Sequence, residues 1–253
     1  MNKLEYAFQT DIGKVRVVNE DSVDFVKNKN NLYLGLVADG IGGNRGGDVA
    51  SAMITNHLGY LFENSNYKTI EQAYTWLQRQ LQVENDLLIQ KGKQYTDLEG
   101  MGTTLVCLLA TNKSCIIANI GDSRGYRFRN GKLIQITQDH SLVNALLKEG
   151  AITREEAQNH PQKNVIVRTL GINHDAQMDR YTLSVQPNDI FLLCTDGLSK
   201  LVSSQEITEI LSTNDSLEQK CAMLVAKARE KGGTDNITVL LTATRKGGDP
   251  ECA

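Results

Sequence analysis

Proline is scarce in this chain, with 3 in 253 residues, and the 21 glycines cluster at turns without forming a flexible tract. That leaves no stretch with the composition of a linker, so one domain with an ample core is expected over residues 1–245. Histidine is also rare: there are 4, none at metal spacing with another. The 5 cysteines include no CxxC pair. Both absences exclude a zinc site. The odd cysteine count, with Cys107, Cys115 and Cys194 inside apolar strand patterns, argues against a disulfide framework and for a reducing cytosol, so a cytoplasmic location is expected. No apolar run approaches the roughly 20 residues that span a bilayer, and Met1–Gln9 lacks the apolar core of a secretory signal, so no membrane partner is expected. A net charge of −3 speaks against nucleic acid as a partner. No internal repeat is visible.

Strands come in blocks and helices in pairs. Leu4–Thr10 and Asp21–Val26 read as a first strand pair, followed by a strand at Leu32–Ala38. Asp39–Gly47 is a loop with five glycines in nine residues, and a helix follows from Asp48 to about Phe62. Ile70–Lys91 has helical spacing through Ala73, Leu77, Leu81 and Leu88. Thr103–Ala110, Lys113–Ile120 and Gly125–Arg129 read as successive strands of a meander, and Asn130–Gly131 is a two-residue hairpin signal leading into Lys132–Thr137. Tyr181–Val185 and Ile190–Thr195 read as a hairpin around Pro187–Asp189. Thr153–Glu156 and Ser203–Glu206 are capping boxes that open helices, and Leu217–Lys231 is a further helix closed by two glycines. Ile237–Thr242 is the last strand, and 246–253 reads as a disordered tail. Without regular strand–helix alternation, the pattern favours an α+β layered sandwich over a doubly wound parallel sheet.

Five aspartates fall where strands end, beside small or turn-forming residues: Asp21 (RVVNED), Asp39 (LVADGIGG), Asp122 (NIGDSR), Asp196 (LCTDGL) and Asp235 (GGTDNITV). Any one of these alone reads as a turn or cap residue. Five in this order are not an accident of composition. Carboxylates gathered at one end of a sheet repel one another, and a bound cation stabilises them. A donor set of carboxylates, carbonyls and water suits Mg²⁺ or Mn²⁺. In the glycine loop, the Gly40 carbonyl is a candidate ligand beside Asp39. Arg16 reads either as a surface arginine paired with Glu20 or as a fork for a phosphate; an acidic metal site nearby favours the fork.

The series RxxNED, VADGxGG, MGTT, GDSR, TDG and GGxDNxT, from about Thr10 to Thr242, resembles the metal-dependent serine/threonine phosphatase family of the PP2C or PPM type, most of all its compact bacterial branch. The resemblance implies a four-layer α-β-β-α sandwich: two antiparallel sheets face to face, flanked by helices. It implies that Asp39 bridges two Mn²⁺ or Mg²⁺ ions, that Gly40 lends its carbonyl to one, and that Asp196 and Asp235 complete the other. Asp21, together with Glu20, is implied to hold ion-bound waters. Asp122 matches the acid of a third, weaker ion shared with Asp196, Arg16 matches the phosphate-binding arginine, and 141–171 corresponds to a flap beside the cleft.

The implied activity is hydrolysis of phosphoserine and phosphothreonine monoesters on proteins by a metal-activated water, in a monomeric enzyme that opposes a serine/threonine kinase. Two ions about 3.5–4 Å apart acidify a bridging water and clamp phosphoryl oxygens, so no phospho-enzyme is needed. No Cys-x5-Arg run offers a cysteine nucleophile. Two competing readings are a non-catalytic binding module of the same fold that senses phosphoproteins or metals, and a nucleotide hydrolase built on the glycine loop. The complete acid set opposes the first; the lack of a GK[ST] ending opposes the second. One departure stands out. Many family members carry a histidine in or just after the glycine loop as proton donor, and here Ile41 and Asn44 fill those places. His57 falls too far along the next helix and His140 nearer the flap. The general acid is therefore unassigned, with a third-ion water near Asp122 as a candidate.

Overall fold

Leu105–Ala110 and Ile190–Cys194 are buried at every position. A strand apolar on both faces needs cover on both, which a single solvated sheet cannot provide. The computed structural model, which describes residues 4–42 and 46–244, meets this need with four layers. Asn44 and the expected tail at 246–253 lie outside the described residues.

In chain order the elements are β1 (Leu4–Asp11), β2 (Asp21–Lys27), β3 (Tyr33–Ile41), α1 (Gly47–Glu63), α2 (Ile70–Gln94), β4 (Gly102–Thr103), β5 (Leu105–Ala110), β6 (Ser114–Ile120), β7 (Arg124–Arg129) and β8 (Lys132–Gln135). Then come α3 (Leu142–Lys148), α4 (Arg154–Asn159), β9 (Asp179–Ser184), β10 (Ile190–Cys194), α5 (Asp196–Ser199), α6 (Ser204–Leu211), α7 (Leu217–Glu230) and β11 (Ile237–Thr244). One sheet runs β1-β11-β10-β7-β8. The other runs β2-β3-β5-β6-β9, with β4 pairing the end of β3. The pairings are antiparallel.

The alternation along β5 shows how the layers form. Leu105, Cys107 and Leu109 face a core shared with Ile54, Leu58 and Phe62 of α1 and Leu77, Leu81 and Leu88 of α2. Val106 and Leu108 face the other way, into a core between the sheets with Val37, Ile117, Phe191, Leu193 and Leu240. The far side of the first sheet presents Leu192, Val239 and Leu241 to Ile207 of α6 and Leu224 and Val225 of α7. Helices, sheet, sheet and helices thus share three apolar interfaces. No helix among the described residues is long and apolar enough to cross a membrane. Cys107, Cys115, Cys194 and Cys221 are buried free thiols.

Local signals hold. Asn130 and Gly131 both adopt positive φ, at 50° and 73°, as a two-residue hairpin turn requires. Both expected capping boxes form, and Ser216–Gln219 adds a third at the start of α7.

Strand partners differ from expectation in three places. β1 pairs with β11 and β2 with β3, so the expected first strand pair is in fact split between the sheets. β9 pairs with β6 while β10 pairs with β11 and β7, so no hairpin forms around Pro187. The meander breaks between β6 and β7, which lie in different sheets. The cause is common to all three. A short connection can be a corner that passes the chain from one sheet to the other, and corner and hairpin use the same turn residues. At the β6–β7 corner Gly121 sits at φ 102°, and a Cβ there would strike Thr104. At the β9–β10 corner Asn188 takes φ 67°. There the fully buried Asp189 accepts from Arg129 Nε and Nη2, both at 2.6 Å, and from the Gln186 N–H at 2.8 Å.

Arg129→Ala strands that buried carboxylate, and removing one partner of such a pair destabilises by about 3–5 kcal/mol. Urea denaturation monitored by circular dichroism is expected to show a loss of this order; a change under 1 kcal/mol would mean that the corner is held by other contacts.

Candidate active site

Asp21 opens β2 and lies directly opposite Asp39 on β3. Like charges facing each other on neighbouring strands repel, so the register itself builds a tense pair. Asp39 is held through its backbone: its N–H donates to Thr104 Oγ1 (3.1 Å), and its carbonyl accepts from the Thr104 N–H and Thr103 Oγ1 (both 2.9 Å). Thr104 Oγ1 lies 2.7 Å from Ser123 Oγ, which ties β3 to the corner that carries Asp122.

The other sheet supplies the remaining acids. Asp196 follows β10 as the first residue of α5, and Asp235 precedes β11. Thr195 Oγ1 donates to Asp21 Oδ2 at 2.9 Å across the space between the sheets. Asn236 accepts from the Glu20 N–H (2.9 Å) and donates to the carbonyls of Ile12 and Val18 (both 3.0 Å). It thereby pins the β1–β2 crossing, whose Arg16 Nη2 donates to Asp235 Oδ2 at 2.9 Å. The partner of Arg16 is therefore Asp235, not Glu20. Gly40 lies within β3, its N–H on the Glu20 carbonyl at 3.0 Å. A Cβ there would collide with the carbonyl oxygens of Gly47 and Glu20.

Burial is the chief cause that raises the carboxyls of Asp21, Asp39 and Asp122, and neighbouring acids add to it. Asp21 and Asp122 are pushed up to about 7. Asp21 Oδ1 and Asp122 Oδ1 are buried with no hydrogen-bond partner. Among the described residues, two cations meet these acids: Arg16 on Asp235, and Lys200, whose ammonium lies on the Asp196 carboxylate and 3.9 Å from Asp122 Oδ2. Among the described residues, no three His, Cys, Asp or Glu side chains form a ready-made metal cage. Orphaned carboxylate oxygens and an oxygen-only donor set nonetheless fit a hard divalent ion.

The other expected residues take other places. Ile41 ends β3 with nothing to titrate. His57 Nδ1 lies 2.9 Å from Glu84 Oε2, between α1 and α2. His140 is buried; its Nδ1 accepts from the Gly121 N–H (3.1 Å) and its Nε2 lies 3.2 Å from Asp179 Oδ2. It buttresses the Asp122 corner from behind. The segment 141–171 carries α3 and α4 and bridges back through Ser141–Ile166 and Thr103–Leu170. Between it and the acids lies a cavity of about 440 Å³, lined by Asp122, Asp196, Ser199 and Lys200 on one side and Lys163 and Asn164 on the other. The sequence reading missed Thr104, Ser123, Thr195 and Asn236 as supports. Their signal was present: each stands next to an acid or within a quoted motif. Lys200 stands outside every motif.

The sequence profile described as Protein phosphatase 2C matches residues 14–241. The chain belongs to the protein phosphatase 2C family. The serine/threonine phosphatase stp of Listeria monocytogenes serotype 4b is 43% identical over 246 residues, covering 96% of this chain and 98% of that protein. Protein phosphatase PhpP of Streptococcus pneumoniae serotype 2 is 38% identical, covering 95% and 97%. The crystal structure of serine/threonine phosphatase Stp1 from Staphylococcus aureus superposes with a TM-score of 0.91 at 37% identity, covering 96% of each chain. This chain is thus a phosphatase of the 2C type with the two-sheet sandwich of that family.

The raised carboxyls set a pH dependence for the metal-free phosphatase. Unfolded, Asp21 and Asp122 release their protons near the ordinary aspartate value of about 3.9; folded, they keep them to about 7. Between those values the folded state binds more protons, so stability falls as pH rises. In EDTA, the melting temperature is expected to drop from pH 5 to pH 8 and then level; a rise across that window would contradict the tense cluster.

Proposed function

We propose that this protein removes phosphate from phosphoserine and phosphothreonine side chains of other proteins, using Mn²⁺ or Mg²⁺ held by the clustered aspartates. The observation that carries the reading is the convergence of Asp21 and Asp39 from one sheet with Asp196 and Asp235 from the other, with Arg16 at their edge. Asp39, the Gly40 carbonyl, Asp196 and Asp235 would hold two ions, with Asp21 and Glu20 on their waters. Such ions, when bound, acidify a water and neutralise phosphoryl oxygens.

The chain's own groups do the rest. Arg16, half exposed and pinned by the Asn236 contacts, presents a planar fork to the phosphoryl group. Buried hydroxyls from Thr104, Ser123 and Thr195 hold the acids in place. His57 and His140 are both engaged elsewhere, so neither reaches the leaving group as it stands. The cavity beside the segment 141–171 is wide enough to receive a side chain carrying phosphate. We assign the substrates to phosphoproteins, the opposing activity to a serine/threonine kinase, the location to the cytoplasm and the active form to a monomer. The complete acid set supports turnover over a silent binding module of the same fold.

Hydrolysis of p-nitrophenyl phosphate and of phosphoserine and phosphothreonine peptides is expected only with added Mn²⁺ or Mg²⁺. Asp39→Asn and Asp196→Asn each remove several kcal/mol of transition-state stabilisation, so kcat is expected to fall roughly a thousandfold or more with the fold intact. Full activity in either variant, or in excess EDTA, would overturn the assignment. Arg16→Ala is expected to lower kcat/KM roughly 10–100-fold, mainly through KM, as loss of a charge-assisted phosphate contact requires. An unchanged KM would show that Arg16 serves Asp235 alone.

A further inference from the structure

The family resemblance implies a third ion between Asp122 and Asp196. In this structure a lysine reaches that place. β10 ends in Cys194, and α5 is a single turn that starts at Asp196. Lys200, one turn on, donates its backbone N–H to the Asp196 carbonyl at 2.8 Å. The turn brings its side chain back over its own starting residue. The ammonium meets Asp196 Oδ2 and lies 3.9 Å from Asp122 Oδ2. Lys200 thus carries a positive charge onto Asp196 and to within ion-pair distance of Asp122, the two acids that a third ion would share.

We propose that Lys200 is a tethered counter-cation that takes the place of the third metal ion, making this a two-ion phosphatase. Three observations support it. The ammonium contacts both carboxylates of the pair, one by a hydrogen bond and one at ion-pair distance. The turn of α5 fixes its origin close by, so its effective concentration exceeds that of free metal. A divalent ion shared only by Asp122 and Asp196 would face this positive charge at near-contact distance, and like charges so placed repel, whereas the paired ions would also draw on Asp39, Asp235 and the Gly40 carbonyl. Asp122 Oδ1 keeps a buried, unpartnered oxygen. One ammonium at 3.9 Å leaves the coordination sphere of Asp122 unfilled, which is why removing Lys200 should leave a site that metal can enter.

The inference rests on the metal-dependent reading above, and the test separates the two. Equilibrium dialysis of the full chain against MnCl₂, with bound manganese counted by atomic emission and free Mn²⁺ followed by electron paramagnetic resonance, is expected to give two ions per wild-type chain. Lys200→Met keeps the aliphatic stem and removes the charge; it is expected to bind a third ion at least tenfold more tightly than wild type. Lys200→Gln is expected to do the same should the Met variant not fold, and Lys200→Arg, which keeps the charge, is expected to stay at two. Three ions in wild type with the affinity seen in Lys200→Met would overturn the inference and leave the two-ion reading standing. So would two ions in all variants. A wild-type chain that binds no manganese would bring down the metal reading itself, and this inference with it.

Discussion

The rest of the structure is organised around two aspartates that face each other across a strand pair. Asp21 and Asp39 sit in register on β2 and β3, at the mouth of the cleft between two stacked sheets. Their carboxyls are raised chiefly by burial and further by the other acids. Nothing about the strands requires this. A serine or threonine at either place would relieve the repulsion and leave the pairing intact. The strain is tolerated because three apolar interfaces stabilise the frame independently of the site. A fold with a thinner core could not hold such a cluster open.

The two ends of the sandwich hold buried acids in two different ways. At the β9–β10 corner Asp189 is fully buried and receives two guanidinium N–H groups and a backbone N–H. Its acceptor capacity is used and its charge is matched. At the opposite end Asp21 is also enclosed, yet only hydroxyls, those of Thr195 and Thr238, reach its carboxylate, and Oδ1 is left without a partner. Asp122 likewise keeps one bare oxygen. Buried oxygens left without donors are costly unless something else supplies positive charge. The contrast between these corners, built from the same residue type in the same protein, is the physical support for the metal-dependent reading proposed above.

The site was legible in the sequence to the extent that its chemistry is written in contiguous residues. Each acid stands at the end of an apolar run beside glycine, serine or asparagine, and such strings fix local geometry whatever the neighbouring strand. Turn and cap signals were legible for the same reason, as at Asn130–Gly131 and Ser203–Glu206. Strand partners were not. The side-chain period along β1 or β10 is the same whether the neighbour is the next strand in sequence or one far away, so a corner and a hairpin look alike. The corners matter most, since the β1–β2 crossing carries Arg16 and the β6–β7 crossing carries Asp122. Lys200 was illegible for another reason. Its position follows from a one-turn helix too short to show periodicity, and its relevance comes only from where that turn points.

Arg16 and Lys200, both at the acid end, differ in how they are held. Arg16 rides on a loop anchored by Asn236, with half of its side chain exposed, and touches Asp235 through one nitrogen. A guanidinium so placed can exchange a carboxylate for a phosphoryl group with small motion, because both offer the same pair of oxygens to the same fork. Lys200 is anchored by its backbone on the very residue that its ammonium contacts, and it faces Asp196, Asp122 and, further off, Asp39. To leave, it would give up its contact with Asp196 and its place beside Asp122. One cation is therefore held loosely at the edge of the acid cluster and the other is tied to it, which is the arrangement the proposed phosphate and metal roles call for.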